Sequence, residues 1–200
     1  MSALIFDFET LSQNPINGAL VSCALLTFDM DILPLNGYTY EELLSRVKYF
    51  KFNVKDQVEL WNRRVDPKTL EWWQQQSKEA LATIKPSKED LPLRDFMPWF
   101  TSNFNRDKLQ YIFTRNNTFD PVIIQSICTD YIPEQPVPYD WWKIRDTKSF
   151  IMGLTYGHNI KDSFIPPEAD GKYVKHDPRH DVVLDVMRLQ VLLYTLNGEK

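Results

Sequence analysis

Apolar runs and polar turns along the chain read as strands first and helices later. Ala3-Leu4-Ile5-Phe6 is a short apolar run leading into Asp7-Phe8-Glu9-Thr10, and Ala19 to Phe28 is a longer one behind a polar stretch holding Pro15 and Gly18. Bounded in this way, the two runs predict adjacent strands joined by a turn. Tyr49 to Val54 alternates and predicts a third strand. A helix is expected from Asp66-Pro67, where an acidic cap precedes proline at the first helical position, and it carries Leu70, Trp72, Trp73 and Ala80. Leu91 to Phe104 predicts a second amphipathic helix, Leu109 to Phe113 a strand, and Val122, Ile123, Ile127 and Cys128 mark another helix. A proline-rich loop from Pro133 to Pro138 leads to a last strand-like segment, Trp141 to Asp146. Lys161 to Asp177 reads as a mobile loop, and the final helix starts near Pro178. Three strands followed by helix, strand, helix, strand and helix predict an α/β domain with a mixed sheet.

Composition adds bounds. Two hundred residues with 43% apolar and 14% aromatic content fill one core, so a single domain over residues 1–200 is expected. No apolar run reaches the roughly 18 to 20 residues that span a bilayer, and the N-terminus lacks a signal-peptide pattern, which together predict a cytoplasmic protein. Cys23 and Cys128 both sit in apolar surroundings and read as reduced core thiols rather than a disulfide or a zinc set. The formal charge of −4 argues against a basic coat for nucleic acid. It still permits a nucleic-acid enzyme, because an acidic metal site carries negative charge that bound cations reverse locally.

The candidate chemistry begins with Asp7 and Glu9. In an extended chain residues two apart point to the same side, so these carboxylates face one space while Phe8 turns into the opposite layer. Two anions so placed call for a proton, a basic partner or hard divalent cations. Asp120 follows the strand at 109–113 and opens the next helix, at the strand end where open α/β sheets place ligands. In the last helix Val182, Val186, Leu189, Leu193 and Leu196 form an apolar stripe, and Asp185 falls at its edge, directed toward the sheet. Asp181 reads as a surface acid farther round. His180 falls in the first turn, where a ring of near-neutral pKa can take a proton from water.

Asp7, Glu9, Asp120, His180 and Asp185 together resemble the DEDDh group of 3′→5′ exonucleases, whose motifs are Asp-x-Glu on a first strand, a central Asp, and His-x4-Asp on a late helix. Glu71-Trp72-Trp73-Gln74-Gln75-Gln76-Ser77, Asn117-Thr118-Phe119-Asp120, Arg145-Asp146-Thr147 and the His-Asp-Pro-Arg-His-Asp segment at 176–181 are similar to the exodeoxyribonuclease A family of the phage T4 type. The resemblance implies an RNase H-like fold, a mixed five-stranded sheet flanked by helices. It implies two Mg²⁺ or Mn²⁺ ions held by Asp7, Glu9, Asp120 and Asp185, with His180 as general base. The activity implied is release of nucleoside monophosphates from the 3′ end of single-stranded DNA, in the host cytoplasm if the gene is a phage's. RNA is the alternative substrate, and a non-catalytic nucleic-acid-binding module is the alternative of another class. Phe8, Thr10, Trp72 and Trp73 are the candidate substrate contacts, aromatic faces being able to stack on bases without reading sequence. Asp146 is taken as structural.

His176 and Asp181 have the same separation as His180 and Asp185. The apolar stripe and the family pattern favour the second pair, with His176 left to the loop before the helix. Turnover of His180→Ala against His176→Ala distinguishes the registers: severe loss in the first supports His180–Asp185, and severe loss only in the second reverses the assignment.

Overall fold

The computed structural model describes residues 1–103, 107–131, 133 and 137–198. Its centre is one mixed sheet built from β1 (Ser2–Thr10), β2 (Leu20–Asp29), β3 (Lys48–Lys51), β4 (Tyr111–Thr114) and β5 (Ile144–Asp146), in the order β3-β2-β1-β4-β5. β1 pairs antiparallel with β2 and parallel with β4; β3 is antiparallel to β2 and β5 parallel to β4. This is the expected mixed five-stranded sheet flanked by helices.

β1 is central because both of its faces are apolar. Ala3 and Ile5 enter one core together with Ala24, Leu26, Phe113 and the last helix, α8 (Pro178–Gly198). Leu4, Phe6 and Phe8 enter the other, against α5 (Leu93–Asn103) and α6 (Asp120–Tyr131). Asp7 and Glu9 continue the first series, so period two sets them on the α8 side. Their partners across β2 are Ala24 and Ser22, small side chains that leave room beside the carboxylates. A register irregularity between Glu9 and Thr10 ends the regular ladder.

Several helices were not foreseen. α1 (Tyr40–Arg46) is capped by Thr39, α2 (Val54–Trp61) by Asn53, and α7 (Thr147–Leu154) by Asp146, whose Oδ1 accepts the Ser149 N–H at 2.6 Å. The helix expected from Asp66 does start there, as α3 (Pro67–Gln74), but stops before Ala80. Ser77 caps a separate α4 (Lys78–Ile84), accepting the Ala80 N–H at 3.1 Å. The third strand ends at Lys51, since Asn53 already begins α2. The expected end of the second helix at Phe104 and Pro136 of the proline-rich loop lie outside the described residues.

α8 crosses the sheet and is buried without a break from Val182 to Gln190. Gln190 anchors it away from the sheet: its Oε1 accepts the Tyr38 N–H at 3.0 Å, and its Nε2 donates to the Tyr38 carbonyl at 2.8 Å and to Asn36 at 3.0 Å. Replacing it strands two buried backbone groups. Gln190→Leu is expected to lower unfolding free energy by about 3 kcal/mol in urea titration; a loss below about 1 kcal/mol would show that water takes over both groups.

Candidate active site

Asp7 and Glu9 leave β1 on the α8 side, and three further acids approach them. Asp120, first residue of α6, is buried to 3% exposure, and its Oδ1 accepts the Phe8 N–H at 3.1 Å. Phe8 is thus used through its backbone to bind the third acid beside the first two. Asp181 and Asp185 come from successive turns of α8. All but Asp120 line one cavity of about 320 Å³, which also holds Arg115, Tyr173, Lys175, His176 and Arg188. A larger cavity of about 780 Å³, at the C-terminal half of α8, has no carboxylate in its wall.

The two aspartates of α8 differ in their partners. Asp185 is 2% exposed; its Oδ1 receives Arg115 Nη1 at 2.6 Å and Arg188 Nη1 at 2.7 Å, and its Oδ2 receives the Thr147 hydroxyl at 2.5 Å. Arg115 also pairs with Asp162 at 3.1 Å, and Arg188 donates to the Phe164 and Ser163 carbonyls. Asp185 is the centre of a neutralised network that fastens α8 to β4, α7 and the loop around 162–164. Asp181 has one hydrogen bond in this group, from the Tyr173 hydroxyl to its Oδ1 at 2.5 Å. A donor atom of Asp181 lies within 4.8 Å of donor atoms of both Glu9 and His176, so these three side chains could share an ion.

His180 and Asp185 do not meet. Both lie inside α8, and five helical residues rotate side chains by about 140° around the axis. His180 turns away to α1, where Nδ1 and the Tyr40 hydroxyl are 2.6 Å apart. His176 lies outside the helix, behind the cap Asp177, whose Oδ1 accepts the Arg179 N–H at 3.1 Å. Its φ of 64° is left-handed, a conformation more accessible to histidine than to most residues with a Cβ. That backbone turn brings its ring back over Glu9 and Asp181. The expected placements are therefore corrected. Asp181 is not a surface acid but part of the cluster, His176 takes the position expected of His180, and Asp185 is occupied by two arginines.

The expected aromatic contacts also sort by burial. Trp73 is 1% exposed and donates its indole N–H to the Thr10 carbonyl at 3.0 Å, so no face is left for a base. The Phe8 ring packs among Phe6, Phe52 and Phe96 in the opposite core, and the Thr10 hydroxyl is given to the Ser12 carbonyl at 2.6 Å. Trp72, 40% exposed, is the one of these rings open to solvent. It borders a second cavity of about 430 Å³, which shares Phe8 and Glu9 with the first and includes Thr10, Ser12, Lys68 and Phe119. Asp146 holds the Ser149 and Asn117 N–H groups, a structural role as expected. Tyr173 was missed; it lies in a segment read as a mobile loop, and nothing local marks it.

Burial and mutual repulsion raise the acids' pKa values. For Asp7, burial acts first, then the charges of Asp120 and Glu9; for Glu9, burial and then Asp181 and Asp120. Both move well above the usual carboxylate range. Asp120 is pushed up to about 7 by burial against the opposing Phe8 N–H, and Asp181 to about 7 by burial against the Tyr173 hydrogen bond. His176 is lowered by burial and by Lys175. Among the described residues no lysine or arginine is ion-paired with Asp7, Glu9, Asp120 or Asp181, whereas Asp185 has two such partners. Anionic oxygen donors crowded together with no direct ion pair among the described residues fit hard divalent ions.

The sheet order and the acids from β1, α6 and α8 define a DEDDh-class exonuclease. The chain belongs to the 3′-5′ exoribonuclease Rv2179c-like domain family, whose profile matches residues 2–189. It is 27% identical over 208 aligned residues to the exodeoxyribonuclease of Enterobacteria phage T4, covering 96% of this chain and 89% of that protein. Its fold is similar to that of Escherichia coli exonuclease I in a zinc-bound complex with single-stranded DNA, with a TM-score of 0.56, 15% identity and coverage of 100% of this chain and 41% of that one. The complex of that enzyme with a dT13 oligonucleotide gives 0.56 and 17%, with coverage of 100% and 40%. The chain thus spans about two fifths of the length of those solved chains.

The raised acids set a direction for stability against pH. Unfolded, these carboxyls titrate near about 4. In the folded, cation-free protein they keep protons that the unfolded chain releases, so the stability they allow is complete below about 4 and is lost as pH rises through the folded values near 7. In EDTA, Tm is expected to fall between about pH 5 and 8. Mg²⁺ should flatten the fall, and Asp120→Asn should reduce it. A cation-free Tm that rises across this range would refute the repulsive cluster.

Proposed function

We propose that the chain is a single metal-dependent 3′→5′ exonuclease domain over residues 1–200, acting in the cytoplasm and releasing nucleoside monophosphates from single-stranded DNA. The observation that carries this reading is the convergence of Asp7, Glu9, Asp181 and His176 on one cavity, with Asp120 held beside them by the Phe8 N–H and none of the four acids ion-paired among the described residues. No helix among the described residues is long and apolar enough to cross a membrane.

Asp7, Glu9, Asp120 and Asp181 would hold two Mg²⁺ or Mn²⁺ ions, a set that replaces Asp185 of the sequence expectation by Asp181. When bound, such ions polarise the phosphodiester, acidify the attacking water and neutralise the leaving 3′-oxygen. His176, lowered in pKa by burial, accepts the water proton at a ring nitrogen as the oxygen attacks phosphorus in line with the departing 3′-oxygen. Tyr173 keeps one Asp181 oxygen oriented, and Arg115, a third exposed at the cavity wall, offers a cation to the phosphate while fixed by Asp185 and Asp162. Trp72 gives the terminal base an apolar edge in the adjoining cavity.

DNA is favoured by the full-length similarity to a phage exodeoxyribonuclease. RNA is the second reading, supported by the exoribonuclease description of the family. The test uses 3′- and 5′-labelled single-stranded DNA and RNA with Mg²⁺ or EDTA. Expected are mononucleotides from 3′ ends, faster on DNA and absent in EDTA. Asp7→Asn, Asp181→Asn and His176→Asn should each lower kcat by at least about 100-fold with the fold retained, His180→Asn by less than about 3-fold. Internal cuts, or normal turnover in Asp181→Asn, would overturn the scheme.

A further inference from the structure

Trp72 stands between the two cavities. On one side its ring meets His176 edge to face, with centroids 4.7 Å apart and planes at 73°; Trp73 meets the same imidazole less closely, at 6.2 Å. On the other side it walls the cavity lined by Phe8, Glu9, Thr10 and Lys68. α3 is not free to move this ring. Trp73 is buried beneath it and tied by its indole N–H to the Thr10 carbonyl, next to Glu9, and the Asp66 cap joins the start of the helix to the Leu11 carbonyl at 2.7 Å. His176 has no such support from a regular element. It precedes α8, and its left-handed backbone leaves the ring to be held by what it touches.

We propose that Trp72 is a positioning residue for His176 that couples occupancy of the second cavity by the substrate's 3′-terminal nucleotide to the placement of the general base. This inference rests on the nuclease reading above. A nucleotide seated against the outer face of Trp72 restrains the indole, and the indole edge restrains the imidazole over Glu9 and Asp181. An empty or partly filled cavity leaves both rings more rotational freedom, so hydrolysis is slowed until a complete nucleotide is in place. The device enforces action on a properly seated end without reading its sequence, since an indole face accepts any base.

The decisive measurement is a double-mutant cycle in single-turnover cleavage of an oligothymidylate, combined with NMR of the His176 ring. Misplacing a reacting group by about 1 Å costs about 100-fold. Trp72→Ala is therefore expected to lower kcat by about 10- to 100-fold, Trp72→Phe to recover most of it by keeping an aromatic edge, and Trp72→Ala with His176→Asn to be no slower than His176→Asn alone. In metal-free protein, dTMP should shift the His176 Cε1–H resonance in the wild type and leave it unmoved in Trp72→Ala. A loss confined to KM, or factors that multiply in the double mutant, would overturn the coupling and leave the nuclease reading intact. So would an equal dTMP shift in Trp72→Ala. Absence of cleavage by the wild type with Mg²⁺ would instead remove the nuclease reading.

Discussion

The structure depends on holding like charges together at the end of its central strand. Asp7 and Glu9 repel each other and both Asp120 and Asp181, in surroundings whose burial already disfavours the ionised form. What opposes this is the packing of β1. Ala3 and Ile5 are locked in one core, Leu4, Phe6 and Phe8 in the other, with a neighbouring strand on each side. A slip of one residue would drive the carboxylates into the aromatic layer of Phe52 and Phe96 and expose five apolar side chains to the wrong face. The strand cannot relieve its charge by moving, so relief must come from protons or cations.

The same logic separates the two aspartates of α8. They are one turn apart on one face, yet Asp185 sits between Arg115 and Arg188 while Asp181 has only a tyrosine hydroxyl. Removing both arginines from Asp185 would leave a buried anion uncompensated, a penalty of several kcal/mol, so that group is committed to structure. Its partners use their remaining N–H groups on Asp162 and on the 163 and 164 carbonyls. One buried ionic knot thereby shapes the loop that delivers Tyr173 and His176. Asp181, with no direct ion pair among the described residues, is open to a cation that the cavity admits.

Much of this was legible in the chain. The strand alternation placed Asp7 and Glu9 on one face and Phe8 on the other, the Asp66-Pro67 cap located α3, and Asp120 stands at a strand-to-helix junction as its position suggested. α1, α2 and α7 escaped because each is only seven or eight residues long, too short to show a period. The pairing of Arg115 with Asp185 joins residues 70 apart and leaves no local signal. The apolar stripe misled for a definite reason. α8 is buried on every side from 182 to 190, so no stripe marks the face that meets the acids. Trp72 and Trp73 could not be told apart by type; one indole is spent on Thr10 and the other is half open.

The placement of the histidine follows from where α8 begins. Within a continuous helix, residues five apart diverge by about 140°, so a His-x4-Asp pair can converge only if the helix starts between its members. Asp177 and Pro178 supply that start: the carboxylate accepts the Arg179 N–H and also binds the Arg179 guanidinium, at 2.9 Å to Nε and 2.5 Å to Nη2, while proline sets the first helical φ. Asp181 is then on the first turn, where the α8 face meets Glu9, and His176 is on the reversing chain just outside. Its lying in the loop, which seemed to disqualify it, is the condition for reaching the acids. Shifting the pair by one turn puts both members inside the helix and sends the imidazole to Tyr40, so the Asp177-Pro178 cap selects the register.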